Sequence, residues 1–206
     1  KSTFINKLIN EERLIVSEIA GTTIDAISIP FEFNDEKFIL IDTAGIRKGY
    51  KYNHKIEYFS FVRSMHAIDQ SDIVILMCDI NEGLVDQDMK ILNMIIENGK
   101  PLLLAFNKID LVSKSELEKK YNSKKMQSEF MKNIEHVEIS AIKKRGFKKV
   151  FSLTEKLIKK SQTKFPTSML NKMLEKFVNA NSPPAISGRQ LKFKHVHFGG
   201  IFPTTL

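Results

Sequence analysis

Several things are scarce in this sequence, and each scarcity removes a class of protein. There is one cysteine in 206 residues, so no intrachain disulfide can form. Cys78 lies inside the apolar run IVILMCDI and reads as a buried structural thiol suited to a reducing cytosol. No apolar run approaches the roughly 18 residues that a membrane-spanning helix requires. Lys1 to Asn10 has neither the apolar core nor the cleavage site of a secretory signal, so a cytoplasmic protein without a membrane span is expected. Internal repeats and low-complexity segments are missing too. Of the histidines only His195 and His197 stand at a metal-like spacing, on one face of an expected strand. With no cysteine or carboxylate nearby, RNA contact or plain surface placement explains that pair better than a metal.

What is present suits a globular protein of one full domain and part of a second, with 42% hydrophobic and 27% charged residues. A monomer is expected. The net charge of +8 conceals an asymmetry. Residues 1–110 carry 12 Lys+Arg against 17 Asp+Glu, whereas residues 111–206 carry 20 against 7. The basic half contains KKRGFKK (143–149), EKLIKK (155–160) and LKFK (191–194). Two readings stay open: a solvated basic surface, or a face that meets a polyanion through its phosphates.

Short apolar runs alternate with helical patterns. IDAISIPFEF (24–33) and KFILI (37–41) flank a polar turn and predict a hairpin. IVILMCDI (73–80) and PLLLAFN (101–107) are nearly uninterrupted apolar runs, as in strands covered on both faces, and EHVEIS (135–140) is a weaker strand. Helical patterns fall at about 56–69, 86–98, 114–132 and 146–160. Met65, Met77, Met89 and Met94 read as core filling. The alternation predicts an α/β fold, a mostly parallel sheet with one antiparallel edge hairpin. The character changes after Lys164, giving an expected division into 1–164 and 165–206. In the second part Thr167 or Ser168 should cap a helix, Leu170, Leu174 and Phe177 recur at helical spacing, and QLKFKHVHF (190–198) alternates like a strand.

The chemistry concentrates in five short segments. Lys1, Ser2 and Thr3 open a helix-like run as the end of a phosphate-binding glycine loop does. GTTID (21–25) places Thr22 and Thr23 in a loop ahead of the hairpin, where a hydroxyl could complete a Mg²⁺ shell. DTAG (42–45) follows the strand KFILI at its carboxyl end, where α/β sheets bind ligands. Asp42 there can reach Mg²⁺ through water, and Gly45 lets a backbone N–H approach a terminal phosphate. In NKID (107–110), Asp110 can accept two N–H donors from guanine and exclude adenine, whose ring nitrogen is an acceptor there. Asn107 would tie the base loop to the phosphate loop, and Lys108 would lay its aliphatic stem across the ring. In ISAI (139–142), a backbone N–H at Ser140–Ala141 can bond the O6 of the base. Singly, each segment is also an ordinary turn or cap. Their order, each beside the strand or helix its role requires, makes the set a guanine-nucleotide-binding P-loop domain.

VSEIAGTTIDAISIPFEF, IDTAGIRKGYKYNHKIEYFSFVRSMHAI and SDIVILMCDINEGLVDQD resemble the second GTPase domain of the bacterial EngA/Der family of ribosome-assembly GTPases. The tail from TSMLNKMLEKFVNA onward is similar to that family's C-terminal KH-like domain. A sibling tRNA-modifying GTPase family shares GTT-x-D and DTAG-I without this tail. The resemblance implies a GTP-hydrolysing switch whose partner is the large ribosomal subunit, its rRNA and proteins, with GTP or GDP, Mg²⁺ and in addition K⁺ as ligands. By the same resemblance Lys1 would contact the β- and γ-phosphates, Thr3 the α-phosphate, and Ser2, Thr23 and Asp42 the metal. Thr43, Ala44, Gly45 and Ile46 would line the γ-phosphate. Ile46 stands where many GTPases carry a water-orienting Gln, so intrinsic hydrolysis should be slow unless K⁺ or a partner completes the site. RKGYK (47–51) with Lys55 would form a loop exposed or covered according to nucleotide. The family's first GTPase domain, the first strand and the phosphate-loop glycines are missing from this sequence, and the KH-like part is short of its last strand and helix. The expectation is therefore that this piece alone binds GTP poorly. Its tail carries no G-x-x-G clamp, which leaves phosphate contact rather than base-specific readout. An RNA-binding scaffold with a merely structural nucleotide site is the alternative from another class.

Overall fold

The computed structural model describes residues 2–9, 27–33, 36–42, 64–122, 129–181, 185–186, 189–190, 192–201 and 204–205. The chain divides into two compact units, Lys1–Leu157 and Ile158–Leu206.

The first unit is built around three parallel strands in the order β3 (Val74–Asp79), β4 (Leu102–Asn107) and β5 (His136–Glu138). All six residues of the central strand, LLLAFN, are buried. This explains the uninterrupted apolar run, since both faces of the strand meet a core. Leu103 and Ala105 face one hydrophobic cluster, and Leu102, Leu104 and Phe106 face the other. The first cluster is closed by Phe4, Ile5 and Leu8 of α1 (Ser2–Ile9) and by Phe147, Val150 and Phe151 of α6 (Phe147–Ser161). The second is closed by Leu92 and Ile95 of α3 (Asp86–Glu97) and by Ile68 of α2, the helical residues 64–70. Each wholly buried side chain of this size contributes roughly 1.5–3 kcal/mol. Period-two alternation on the strands and the i, i+3 or i+4 spacing on the helices thus supply the two layers.

The hairpin pairs β1 (Ile27–Phe33) with β2 (Glu36–Asp42), from Ile27 opposite Asp42 to Phe33 opposite Glu36. Among the described residues this ladder has only two strands, so Pro30 has no third strand to which an N–H would have to donate. Phe31 stacks on Phe38 at 5.2 Å and meets Phe151 edge-on at 5.2 Å, which joins the hairpin to the first cluster. After β4 come a single 3-10 turn (Ile109–Leu111), α4 (Lys114–Tyr121) and the short α5 (Glu129–Lys132). Ser113 opens α4 with a capping box: its hydroxyl accepts from Glu116 N–H and its own N–H donates to the Glu116 carboxylate. The single helix expected over 114–132 is therefore two described helices, with 123–128 outside the described residues. Met65 is 41% exposed, so it does not fill the core as Met77, Met89 and Met94 help to do.

In the second unit α7 (Thr167–Ala180) is capped by Pro166, not by Thr167 or Ser168. The Pro166 carbonyl accepts from Met169 and Leu170 N–H, which makes Thr167 the first helical residue. Leu170 is buried, whereas Phe177 is 66% exposed. Residues 192–199 pair in no ladder, unlike the strand expected at 190–198. Val196 instead donates its N–H to Asn171 Oδ1 at 3.0 Å and accepts from Asn171 Nδ2 at 3.3 Å, so a side-chain amide on α7 takes the place of a neighbouring strand. Short pairs at Ala185–Ile186 with Arg189–Gln190, and Gly200–Ile201 with Thr204–Thr205, complete the unit.

Candidate functional site

The carboxyl ends of β4 and β5 bring two of the sequence segments together. Asn107 ends β4 and is nearly buried. Its Oδ1 accepts from the N–H of Lys108 at 2.8 Å and from the N–H of Ala141 at 2.9 Å. Two donors on one oxygen identify it as the amide's acceptor, which leaves the NH₂ group as its donor end. Of the backbone N–H groups at Ser140–Ala141, one of them expected to meet a base O6, that of Ser140 is directed to the Arg145 carbonyl and that of Ala141 to Asn107 here. The tie expected between Asn107 and the phosphate loop lies outside the described residues, and the described side-chain bonds of Asn107 run to its own loop and to the Ser140–Ala141 turn.

Lys108 sits in the left-handed region at φ 69°, ψ 30°, which turns the chain sharply off the strand and into the 3-10 turn carrying Asp110. The hydroxyl of Ser140, a wholly buried residue, donates to the Asp110 carboxylate. That bond holds the Asp110 pKa below the usual carboxylate range; desolvation opposes it, while the residue's own backbone and the charge of Lys143 assist. Ser140 Oγ also accepts from Lys143 N–H at 3.2 Å, and Ser140 exchanges two backbone bonds of 3.1 Å with Arg145. The turn closes at Gly146, whose φ of +86° and tight surroundings demand glycine: a Cβ there would stand 2.4 Å from the Glu138 carbonyl oxygen. Ile109 N–H reaches the Ile139 carbonyl at 3.2 Å, and Ile139 N–H reaches the Phe106 carbonyl at 2.8 Å. Asn107, Lys108, Asp110, Ser140 and Ala141 therefore form one hydrogen-bonded unit on the strand ends.

Sequence reasoning missed a further member, Asp79. It ends β3 opposite Asn107 in register and forms an ion pair with Lys108 Nζ. Desolvation pushes its pKa up, but the hydrogen bonds from Lys108 and Asn81, with the charge of Lys108, together hold it below the usual range. The Lys108 ammonium is raised in turn, chiefly by its hydrogen bond to Asp79. The available signal was position: Asp79 ends a buried strand just as Asn107 does.

Of the residues expected at the phosphates and metal, Ser2 and Thr3 are exposed in the first turn of α1. Asp42 is the last residue of β2. Lys1, Thr22, Thr23, Thr43, Ala44, Gly45 and Ile46 lie outside the described residues, as do 47–51 and Lys55. Among the described residues there is no cluster of three or more His, Cys, Asp or Glu able to hold a metal, and no helix long and apolar enough to cross a membrane.

Known proteins share this arrangement of sequence and fold. A family described as 50S ribosome-binding GTPase matches residues 1–108. GTPase Der of Pseudomonas fluorescens is 37% identical over 203 residues, 98% of this chain and 41% of that protein. GTPase Der of Coxiella burnetii is 37% identical over 206 residues, 100% of this chain and 46% of its own length. The chain thus spans less than half the length of these curated relatives. Among solved structures, Era of Aquifex aeolicus bound to GDP and aluminium fluoride aligns with a TM-score of 0.57 and 24% identity, over 76% of this chain and 52% of that one, a likeness of fold.

Proposed function

This chain belongs to the family of 50S ribosome-binding GTPases, and on that premise we propose that the full-length protein is a GTP-binding and GTP-hydrolysing switch acting in assembly of the large ribosomal subunit. The observation that carries the reading is the hydrogen-bonded unit of Asn107, Asp110, Ser140 and Ala141. An ionised Asp110 accepts the two adjacent N–H donors of guanine, and the Asn107 NH₂ group suits the N7 and O6 acceptors of that base. Adenine would turn a lone pair toward Asp110. Lys108 supplies its stem to the ring face.

At the phosphate end, Lys1, Thr3, Thr43, Ala44, Gly45 and Ile46 would surround the nucleotide's phosphates, with Thr22 beside the metal-binding Thr23. Ser2, Thr23 and Asp42 would hold Mg²⁺: two hydroxyls and a carboxylate are the hard oxygen donors that ion prefers. Bound there, Mg²⁺ neutralises charge on the terminal phosphates. Ile46 cannot orient water by hydrogen bonding, so hydrolysis is slow until K⁺ or a partner completes the site. Release of Thr23 and of the segment 42–50 after hydrolysis is the switch. Residues 165–206 would act as a KH-like domain making phosphate contacts, in keeping with the basic balance of 111–206.

Two measurements on the full-length protein test this. GTP turnover, raised by K⁺ over Na⁺ or by ribosomal particles, is expected of the enzyme and not of an RNA-binding scaffold. Co-sedimentation with 50S particles should be stronger with a non-hydrolysable GTP analogue than with GDP. Nucleotide-independent sedimentation without turnover supports the scaffold, and failure to sediment with 50S in any state favours the tRNA-modification type.

A further inference from the structure

We propose that Asp79 is a positioning residue for guanine binding: through its ion pair with Lys108 it holds the lysine stem in the posture that lies across the purine ring. The inference rests on the nucleotide-site reading above. Its ground is a division of labour between the two oxygens of one carboxylate. Asp79 Oδ1 accepts from Asn81 N–H at 2.9 Å and from Asn81 Nδ2 at 3.2 Å, which anchors the carboxylate to its own turn. Oδ2 is the atom that meets Lys108 Nζ. A residue needed only to shape the turn at 79–82 would use Oδ1 alone.

The scaffold brings the two groups within reach of each other. Asp79 and Asn107 are register partners in the parallel pair, and Ile80 N–H donates to the Asn107 carbonyl at 3.0 Å. The carboxylate therefore stands beside the residue that precedes Lys108. The left-handed backbone at Lys108 sets the direction in which its side chain leaves. Four rotatable bonds remain, and a free lysine would lose their entropy when a ring settled on its stem. Tethering the tip to Asp79 removes much of that freedom beforehand, which is preorganisation of a stacking surface. The tether is itself braced, since Lys120 Nζ on α4 donates to the Asn81 carbonyl at 2.8 Å. The Lys108 side chain stays about half exposed while that of Asp79 is largely covered, so the lysine remains open to a ligand and its anchor does not.

The test is a double-mutant cycle on GDP affinity of the full-length protein, measured by calorimetry. Asp79→Asn keeps an oxygen for Asn81 and loses the ion pair; Lys108→Met keeps a stem and loses the charge. Each single variant should bind GDP about threefold to tenfold more weakly, and the double variant should be within twofold of the weaker single. Thermal unfolding of each variant shows that it is folded, and Asp79→Ser, which also keeps an oxygen for Asn81 and carries no charge, takes the first place in the cycle if Asp79→Asn is not. An anchoring variant within twofold of wild type, or losses that multiply in the double, would overturn the inference while leaving the site intact. Wild-type protein that binds no GDP removes the site reading and this inference together.

Discussion

On the proposed reading, recognition at Asp110 reduces to matching donors with acceptors. A carboxylate offers acceptors only, and guanine presents two adjacent N–H groups. Asp110→Asn replaces one acceptor by a donor, so GDP affinity should fall about tenfold to hundredfold while xanthosine diphosphate, which carries a carbonyl at that edge, should gain. Competition binding with the two diphosphates checks both directions. The pH dependence follows from the same residue. Its pKa is depressed by the Ser140 hydrogen bond, so the group stays ionised below the ordinary value of about 3.9. That bond stabilises the folded state above the unfolded carboxyl's pKa, and the contribution disappears as the pH falls through the depressed value. Asp110's share of GDP affinity, read as the ratio of wild type to Asp110→Asn, should accordingly be flat from pH 8 to pH 5, as a titration series would show. Asn107, Lys108 and Asp110 could be singled out in the sequence because they fall within four successive residues at the end of a buried strand. Asp79 was not: its partner is 29 positions away, and only the parallel register of β3 and β4 brings the two together.

Among the elements, the turn between β5 and α6 is the one that assembles the site. It presents Ser140 and Ala141 to NKID, and its closure depends on Gly146. Gly146→Ala would combine a left-handed backbone with a Cβ forced against a carbonyl oxygen, a cost of about 2 kcal/mol or more. For a protein of this size the melting temperature should fall by about 4–8 °C, measurable by calorimetry, and GDP affinity should fall with it. The strands and the hairpin were readable because their apolar runs report directly on the faces they cover, as LLLAFN does. Elements whose partners are side chains were not. QLKFKHVHF alternates like a strand, yet at Val196 it bonds to the amide of Asn171 on a helix. Phe177 keeps a helical spacing with Leu170, but within the described residues it is exposed, since spacing alone does not say which turns of a helix are covered.

For the molecule as a whole, the order of five weak segments along the chain carried the functional reading, and the ends of β4 and β5 bring two of them, NKID and ISAI, together. Parallel strands deliver their carboxyl ends to one edge, so segments far apart in sequence meet there. Residues 111–206 carry 20 Lys+Arg against 7 Asp+Glu, the balance on which the proposed phosphate contacts would draw. The central claim is that the strand ends of this fold select guanine. Its most direct test is the affinity of the full-length protein for GDP against ADP under one set of conditions. A site that must pair every buried polar group rejects the wrong base strongly, so GDP should bind at least about a thousandfold tighter. Equal affinities for the two diphosphates would contradict the account.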